Sequence, residues 1–247
     1  MTIDLYHMNG NDFRSYAKYY DQIYLKMKDY RKEADVVKGV IEKFETNRSK
    51  TLLDVGCGTG EHLKYLSSDF QCTGIDINRR MIDLAKNKVT NVRFKVADMV
   101  NFTIRERFDV IICLFSAIGH VENFKKLVKT LENFRKHLNE KGLVILEPWI
   151  FKKDFKKGFI ALDTYEDAKI KLARIATSKI AGLKWLVFMH YLVGEKREIR
   201  YSRELHKMLA IDYEGYVEAF KSSGLGNVRF LKENLWNGCR GLFIANI

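Results

Sequence analysis

A chain of 247 residues, 47% of them hydrophobic, can bury one sizeable core, and its composition excludes a disordered or low-complexity protein. No run reaches the ~18 uninterrupted apolar residues of a membrane span, and the start "MTIDLYHMNGNDF" lacks the basic and apolar segments of a secretory leader, so a cytoplasmic protein with no membrane partner is expected. The net charge of +12 draws in anions, whether nucleic acid, anionic lipid or a phosphorylated small molecule, without choosing among them.

From Asp12 to Glu45 apolar and aromatic residues recur every three or four positions (Tyr16, Tyr19, Tyr20, Ile23, Tyr24, then Val36, Val37, Val40, Ile41, Phe44), which predicts one or two helices. A polar break, "ETNRSK", precedes an alternation of strands and helices. Strand "TLLDVG" leads to helix "GEHLKYLSS", strand "QCTGIDI", helix "RRMIDLAKNK", and strands "VRFKVAD" and "FDVIICLF". Helix "VENFKKLVKTLENFRKHLN", a turn at "EKGL" and strand "LVILEPW" follow. Short apolar runs alternating with helical patterns predict an α/β fold with a Rossmann-like, mostly parallel seven-stranded sheet and helices on both faces. From Ala168 to Ile211 three β-rich segments joined at "AG" and "GEK" predict a small antiparallel β insertion. The pattern closes with helix "YEGYVEAFKSSG" and strands "VRFLK" and "GLFIANI".

Lysine-rich stretches such as "FKKLVKTLENFRKHL" carry apolar residues at helical spacing and read as solvated helix faces. Four cysteines, Cys57, Cys72, Cys113 and Cys239, have no paired spacing, so reduced thiols are expected and no metal. His62 and His137 fall on helices, His190 and His206 in the β insertion, and His7 near the start. None has neighbours at ligand spacing. Trp185 and Trp236 read as packing residues.

The informative stretch is "LLDVGCGTGEHL". Gly56, Gly58 and Gly60 sit where a strand turns into a helix, so a ligand can lie against bare backbone near the positive helix end. The spacing departs from the dinucleotide fingerprint, with Glu61 where its third glycine would stand, and no Lys-Ser or Lys-Thr pair makes a phosphate loop. A pyrophosphate is therefore disfavoured. Asp76 ends the second strand, where a carboxylate can accept both hydroxyls of a ribose. Asp98, past the third strand, could accept from an adenine amine, with Val96, Ala97 and Met99 flanking the ring. Asp54 could face an ammonium. Singly each aspartate suits a cap or turn, but together they describe a nucleoside carrying an amino acid.

These motifs resemble those of the class I S-adenosylmethionine-dependent methyltransferases. "LLDVGCGTGEHL" is similar to the first motif, implying that Cys57 and Thr59 join the glycines around S-adenosyl-L-methionine; "GIDINRRMIDLAK" is similar to the second, implying Ile77 and Met81; "VADMVNF" is similar to the third. The resemblance implies a helical lid over 1–45, a cofactor-binding core over 46–150, a substrate and dimer region over 151–211 and core-completing elements over 212–247. More narrowly, "YYDQIY", "FSAIGH", "EPWIF" and "GCRGLFIANI" resemble the sugar-nucleotide N-methyltransferases that dimethylate the 3-amino group of dTDP-linked deoxysugars. That likeness implies a homodimer with a phosphorylated or nucleotide-linked small-molecule substrate. It implies that Tyr20 and Tyr24 close over the cofactor, Phe115 and Ser116 line the methyl channel, His120 lies by the reacting amine, Glu147 and Trp149 shape the sugar site, and Arg240 meets the diphosphate. The segment "LKMKDY" after Tyr24 and the lead-in "GCRG" depart from the antibiotic enzymes, both on the substrate side.

Methyl transfer from a sulfonium moves positive charge from sulfur to the acceptor, so positioning carries the burden. Holding the reacting atoms roughly 3 to 3.5 Å apart supplies on the order of 7 to 11 kcal/mol. An amine must also arrive neutral. His120 is the expected proton acceptor, and Tyr20 is second, as a lid more than as a base. Two other readings stay open on these residues. One is an RNA methyltransferase acting on ribose or a ring carbon, since the motif for amino methylation of a flipped base is absent at "CLFSAIGH". The other is a non-catalytic cofactor-binding module.

Overall fold

The computed structural model describes residues 17–44, 50–232 and 239–247. His7, Trp236 and the part of the helical pattern before Ala17 lie outside the described residues. Two helices open the chain, α1 (Ala17–Met27) and α2 (Tyr30–Phe44). The core then runs β1 (Thr51–Val55), α3 (Glu61–Leu66), β2 (Gln71–Asp76), α4 (Arg79–Lys88), β3 (Arg93–Val96) and β4 (Phe108–Cys113), followed by a 3-10 turn at Ala117–His120, α5 (Phe124–His137) and β5 (Leu138–Leu146). After β6 (Ile160–Glu166), β7 (Ile170–Ala181), β8 (Lys184–Glu195) and β9 (Glu198–Leu209), the chain returns through α6 (Tyr213–Ser222), β10 (Gly226–Leu231) and β11 (Leu242–Asn246).

Seven strands form one sheet in the order β10-β11-β5-β4-β1-β2-β3, parallel except where β11 runs against both β5 and β10. This is the expected architecture. Its central strands read as unbroken apolar runs because both faces are covered. Phe134, Tyr216, Phe220 and Phe243 fill one face under α5 and α6. Val37, Ile41, Leu63 and Ile82 fill the other under α2, α3 and α4. Asparagine side chains start two of these helices, Asn78 Oδ1 accepting from the Arg80 N–H and Asn123 Oδ1 from the Lys126 N–H.

Two local expectations need correction. The turn expected at "EKGL" lies inside β5, where the pairing with β4 shifts register and Lys141 takes a positive φ of 63°. A bulge absorbs the irregularity without ending the strand. The insertion has four strands, not three, in the order β6-β7-β8-β9, all antiparallel. The β8–β9 hairpin turns through Lys196 and Arg197, both at positive φ, the backbone that suits a two-residue connection. Along β8 the residues alternate. Trp185, Val187, Tyr191 and Val193 are buried, while Leu192 is exposed. Helix α1 packs on the inner face of this second sheet, Tyr19 and Ile23 meeting Leu172, Tyr191 and Val193.

Candidate active site

The sheet's connections leave β1 in opposite directions, toward β4 on one side and β2 on the other, so a crevice opens at the carboxyl ends of β1 and β4. There a cavity of about 480 Å³ is enclosed between the core sheet, α1 and the second sheet. Tyr20, Tyr24, Asp54, Gly56, Cys57, Gly58, Thr59, Asp76, Ile77, Met81, Ala97, Asp98 and Met99 all line it. So do Phe115, Ser116, His120, Glu147, Trp149 and Arg240. Residues chosen from separate motifs thus meet around one space. Gly60 and Val96 are not among them.

The glycines divide by function. Gly56 has φ 78°, and a Cβ there would come 2.6 Å from the Ala117 Cβ, so the turn can pass beneath the strap after β4 only without a side chain. Gly60 caps α3 at φ 79° but faces backward, where a Cβ would meet the Phe94 ring at 3.2 Å. Its bareness serves packing and turn geometry, between Thr59 and Glu61, which both line the cavity.

Asp54 is 2% exposed, and its Oδ2 has no hydrogen-bond partner among the described residues. Burial first, then the neighbouring Asp76 carboxylate, push its pKa from 3.8 up to about 8. Asp76 accepts from the Gly58 N–H at 3.0 Å and the Asn78 N–H at 2.8 Å; burial raises its pKa while those bonds oppose the rise. Asp98 spends one oxygen on the Val100 N–H at 2.9 Å, as a turn aspartate does, and keeps the other for the cavity it lines.

The strap after β4 takes an unusual course because Phe115 and Ser116 both adopt left-handed backbone, at φ 49° and 58°. Glu147 holds it there. Its buried carboxylate accepts from the Phe115 N–H at 2.7 Å and faces the Arg240 N–H at 3.4 Å, while Ser116 Oγ donates to the Pro148 carbonyl at 2.8 Å. Burial pushes the Glu147 pKa up to about 7, with Lys28 pulling it back. The Lys28 ammonium sits 4.0 Å above the Phe115 ring and bonds Glu33, whose other oxygen lies 2.8 Å from His62 Nε2. The bland reading of His62 therefore needs correction, since it lines the cavity within a buried charged cluster. His137 does fit that reading, its Nε2 accepting from the Ile104 N–H.

Helix α1 is fastened on both sides of the cavity. Asp21 accepts from Thr59 Oγ1 at 2.6 Å and pairs with Lys88, which also pairs with Glu61. Toward the second sheet, Tyr19 donates to Glu195 at 2.8 Å, and Arg174 donates to the Tyr24 hydroxyl at 2.7 Å. The Tyr24 ring packs at a tilt against Tyr20 and meets Phe115 edge-on.

The opposite wall was not foreseen. Arg174, Tyr191, Glu204 and His206 of the second sheet line the cavity, and His206, read as unremarkable, is buried with its Nε2 3.1 Å from Glu204 Oε2. The alternation of Glu204, His206 and Met208 along β9 is the one sequence signal that places them on a common face. His120 ends the 3-10 turn facing them, its ring 5.8 Å from that of His206. It keeps exposure through the cavity yet lies deep among protein atoms. Burial, then His206, pull its pKa down to about 4, so the ring is neutral near pH 7. Trp149 packs edge-on against the buried Trp185, which is a packing residue as expected, and leaves its own Nε1 without a partner among the described residues.

Residues 52–142 match the family described as a methyltransferase domain. Among characterised proteins, the chain is similar to dTDP-3-amino-3,6-dideoxy-alpha-D-glucopyranose N,N-dimethyltransferase of Streptomyces fradiae, 33% identical over 218 residues, 87% of this chain and 85% of that protein. Among solved structures, it is similar to the sugar N-methyltransferase KedS8 from a Streptoalloteichus species, with a TM-score of 0.88 and 26% identity over 100% of this chain and 98% of that one. It is also similar to CalS10, an amino pentose methyltransferase of Micromonospora echinaspora solved with S-adenosylmethionine bound, with a TM-score of 0.82 and 28% identity over 97% and 99%.

Because the folded pKa of Asp54 lies above its ordinary value, its contribution to stability is complete below about pH 3.8 and is lost as the pH rises toward about 8. Asp54→Asn is expected to flatten the decline in ligand-free stability over that window, as measured by urea denaturation at stepped pH. An unchanged slope would show that Asp54 is ionised in the folded chain throughout.

Proposed function

The chain belongs to the class I S-adenosylmethionine-dependent methyltransferases, and on that premise we propose that it N-methylates an amino sugar carried on a nucleoside diphosphate. The residues present fit the cofactor: Asp54 holds a buried carboxylate oxygen that lacks a donor, and Gly56 keeps the turn bare where a Cβ would strike Ala117. When bound, S-adenosylmethionine supplies a methyl group on a sulfonium, an electrophile requiring a neutral amine in line with it. Asp54 would pair with its ammonium, Asp76 with the ribose hydroxyls, and Asp98 with the adenine amine between Ala97 and Met99. Tyr20 and Tyr24 would cover it from α1.

The observation that carries the acceptor reading is the enclosure of the cavity. A space of about 480 Å³ under α1 and the second sheet suits a small molecule better than a nucleic-acid strand. The names of the relatives support an amine on a nucleotide-linked sugar. Arg240, exposed at the cavity, offers a guanidinium to the diphosphate, and the net charge of +12 favours anionic substrates. His120, neutral near pH 7, can accept a hydrogen bond or a proton from the amine and so turn its lone pair toward the methyl.

We also assign a homodimer. The outer face of the second sheet exposes Leu162 beside Ile175 and Leu192 beside Tyr201, with Ile199 71% exposed next to them. A contiguous apolar patch of this kind marks an association surface, and symmetry lets it pair with its own copy. Four cysteines without disulfides suit a reducing compartment, the cytoplasm, and among the described residues no helix is long and apolar enough to cross a membrane.

Incubation with S-adenosylmethionine and a panel of acceptors, followed by mass spectrometry, should place methyl groups on a nucleotide-linked amino sugar and none on tRNA; transfer only to RNA ends the reading. His120→Ala should lower kcat by about tenfold or more with cofactor affinity unchanged in calorimetry. Light scattering should give a dimer, and Leu192→Lys a monomer. A monomeric wild-type chain would remove the assigned interface.

A further inference from the structure

The second sheet holds an acid and a base where its packing calls for neither. On the inner face of β9, Glu204 is 6% exposed and His206 is 5% exposed, among Val187, Tyr191 and Met208. Glu204 Oε2 accepts from Tyr191 at 3.3 Å and lies 3.1 Å from His206 Nε2, whereas its Oε1 has no partner among the described residues. Burying a carboxylate oxygen without a donor forfeits its hydration with no return from the fold. A buried position facing Met189 in register could instead carry an apolar residue. Both side chains line the cavity, and the His206 ring neighbours that of His120.

We propose that Glu204 and His206 are positioning residues that make His120 the head of a proton relay, drawing a proton from the acceptor's ammonium into the wall of the second sheet. The proposal rests on the N-methylation reading. In the first step an N–H bond of the bound ammonium breaks, its electron pair stays on nitrogen, and the proton forms an N–H bond on the His120 imidazole. The Glu204 carboxylate, held beside His120 by its bond to His206, offsets the positive charge that results and counters the repulsion His206 would exert. The neutral amine then forms its N–C bond as the C–S bond breaks, the pair passing to sulfur. His120, exposed through the cavity, then returns its proton to solvent, and only after that can the relay take the proton still carried by the methylated ammonium product. Among the described residues, the other charged or titratable groups around His120 and this wall include Tyr191 of β8, Arg174 of β7 with its partner Asp163 of β6, Tyr24 of α1, and the Glu122–Lys126 pair just after the 3-10 turn. The Arg174 guanidinium is engaged by Asp163 and Tyr24, which leaves Glu204 as the anion nearest His206.

Two measurements on Glu204→Gln, with His206→Asn as a second variant, test this. In the protein saturated with S-adenosylhomocysteine, NMR should show the His120 ring titrating lower once the carboxylate is gone. In kinetics, kcat at pH 7 should fall on the order of tenfold to a hundredfold. The deficit should close above about pH 9, where more of the acceptor arrives unprotonated, and the cofactor KM should stay constant throughout. An unchanged histidine titration, or a deficit equal at every pH, overturns the relay while leaving the N-methylation reading intact. Wild-type protein that methylates no amine at all overturns both.

Discussion

A carboxylate sealed at the end of β1 with one oxygen meeting no donor is the constraint around which the molecule is arranged. Asp54 sits beside a second acid, Asp76, in an environment that favours the protonated form until a cation arrives. Such a residue is tolerable only where the strand order reverses, because there the ends of β1 and β4 diverge and a ligand can enter. The same shortage recurs around the space. Of the six buried side-chain atoms left without a partner among the described residues, four belong to residues that line the cavity: Asp54, Glu61, Trp149 and Glu204. Elsewhere the described interior satisfies nearly all its polar groups, so the deficit marks where the fold is built for a molecule it does not itself supply.

Helix α1 turns that open crevice into a chamber. Its apolar side packs on the second sheet through Tyr19 and Ile23, while Asp21 reaches the glycine turn through Thr59. Each polar tie is worth about 0.5–1.5 kcal/mol net, small beside the core packing that fixes both sheets. A cover held by a few such ties can release and re-form without disturbing the core, which a site enclosing its cofactor and acceptor requires. Asp21 also connects the cover to Lys88 of α4, so the tie reaches the helix that carries Met81 against the cavity.

The core half of the site was legible in the sequence because its residues are local to motifs. Asp54, Gly56 and Gly58 share one turn, and Asp76 and Asp98 follow strand ends that periodicity locates. Gly60 shows that a glycine in such a motif can have a second cause: positive φ and close packing on Phe94 demand glycine as strongly as a ligand does. Strand β6 escaped notice because its alternation is inverted, with Ile160 and Leu162 exposed and Asp163 turned inward to Arg174. The wall of Arg174, Tyr191, Glu204 and His206 had no local signature at all. These residues come together through register between long antiparallel strands, and a one-residue slip would turn each of them outward.

That dependence on register gives the outer face of the second sheet its importance for the inner one. Along β8 the inward Tyr191 and Val193 flank the outward Leu192, and Leu192 is paired across the ladder with the exposed Tyr201. A single sheet covered on one face is weakly braced against twisting and slippage. In the proposed dimer the exposed apolar row would be covered, and the pleat that aims Glu204 and His206 at His120 would be braced from behind. Core and insertion then divide the chemistry. In the proposed enzyme the doubly wound sheet would fix the methyl donor through groups that any acceptor can share, while the meander would carry the groups that meet the acceptor itself. Sequence change on the inward positions of β7, β8 and β9 would then alter which amine is accepted without disturbing the buried Asp54.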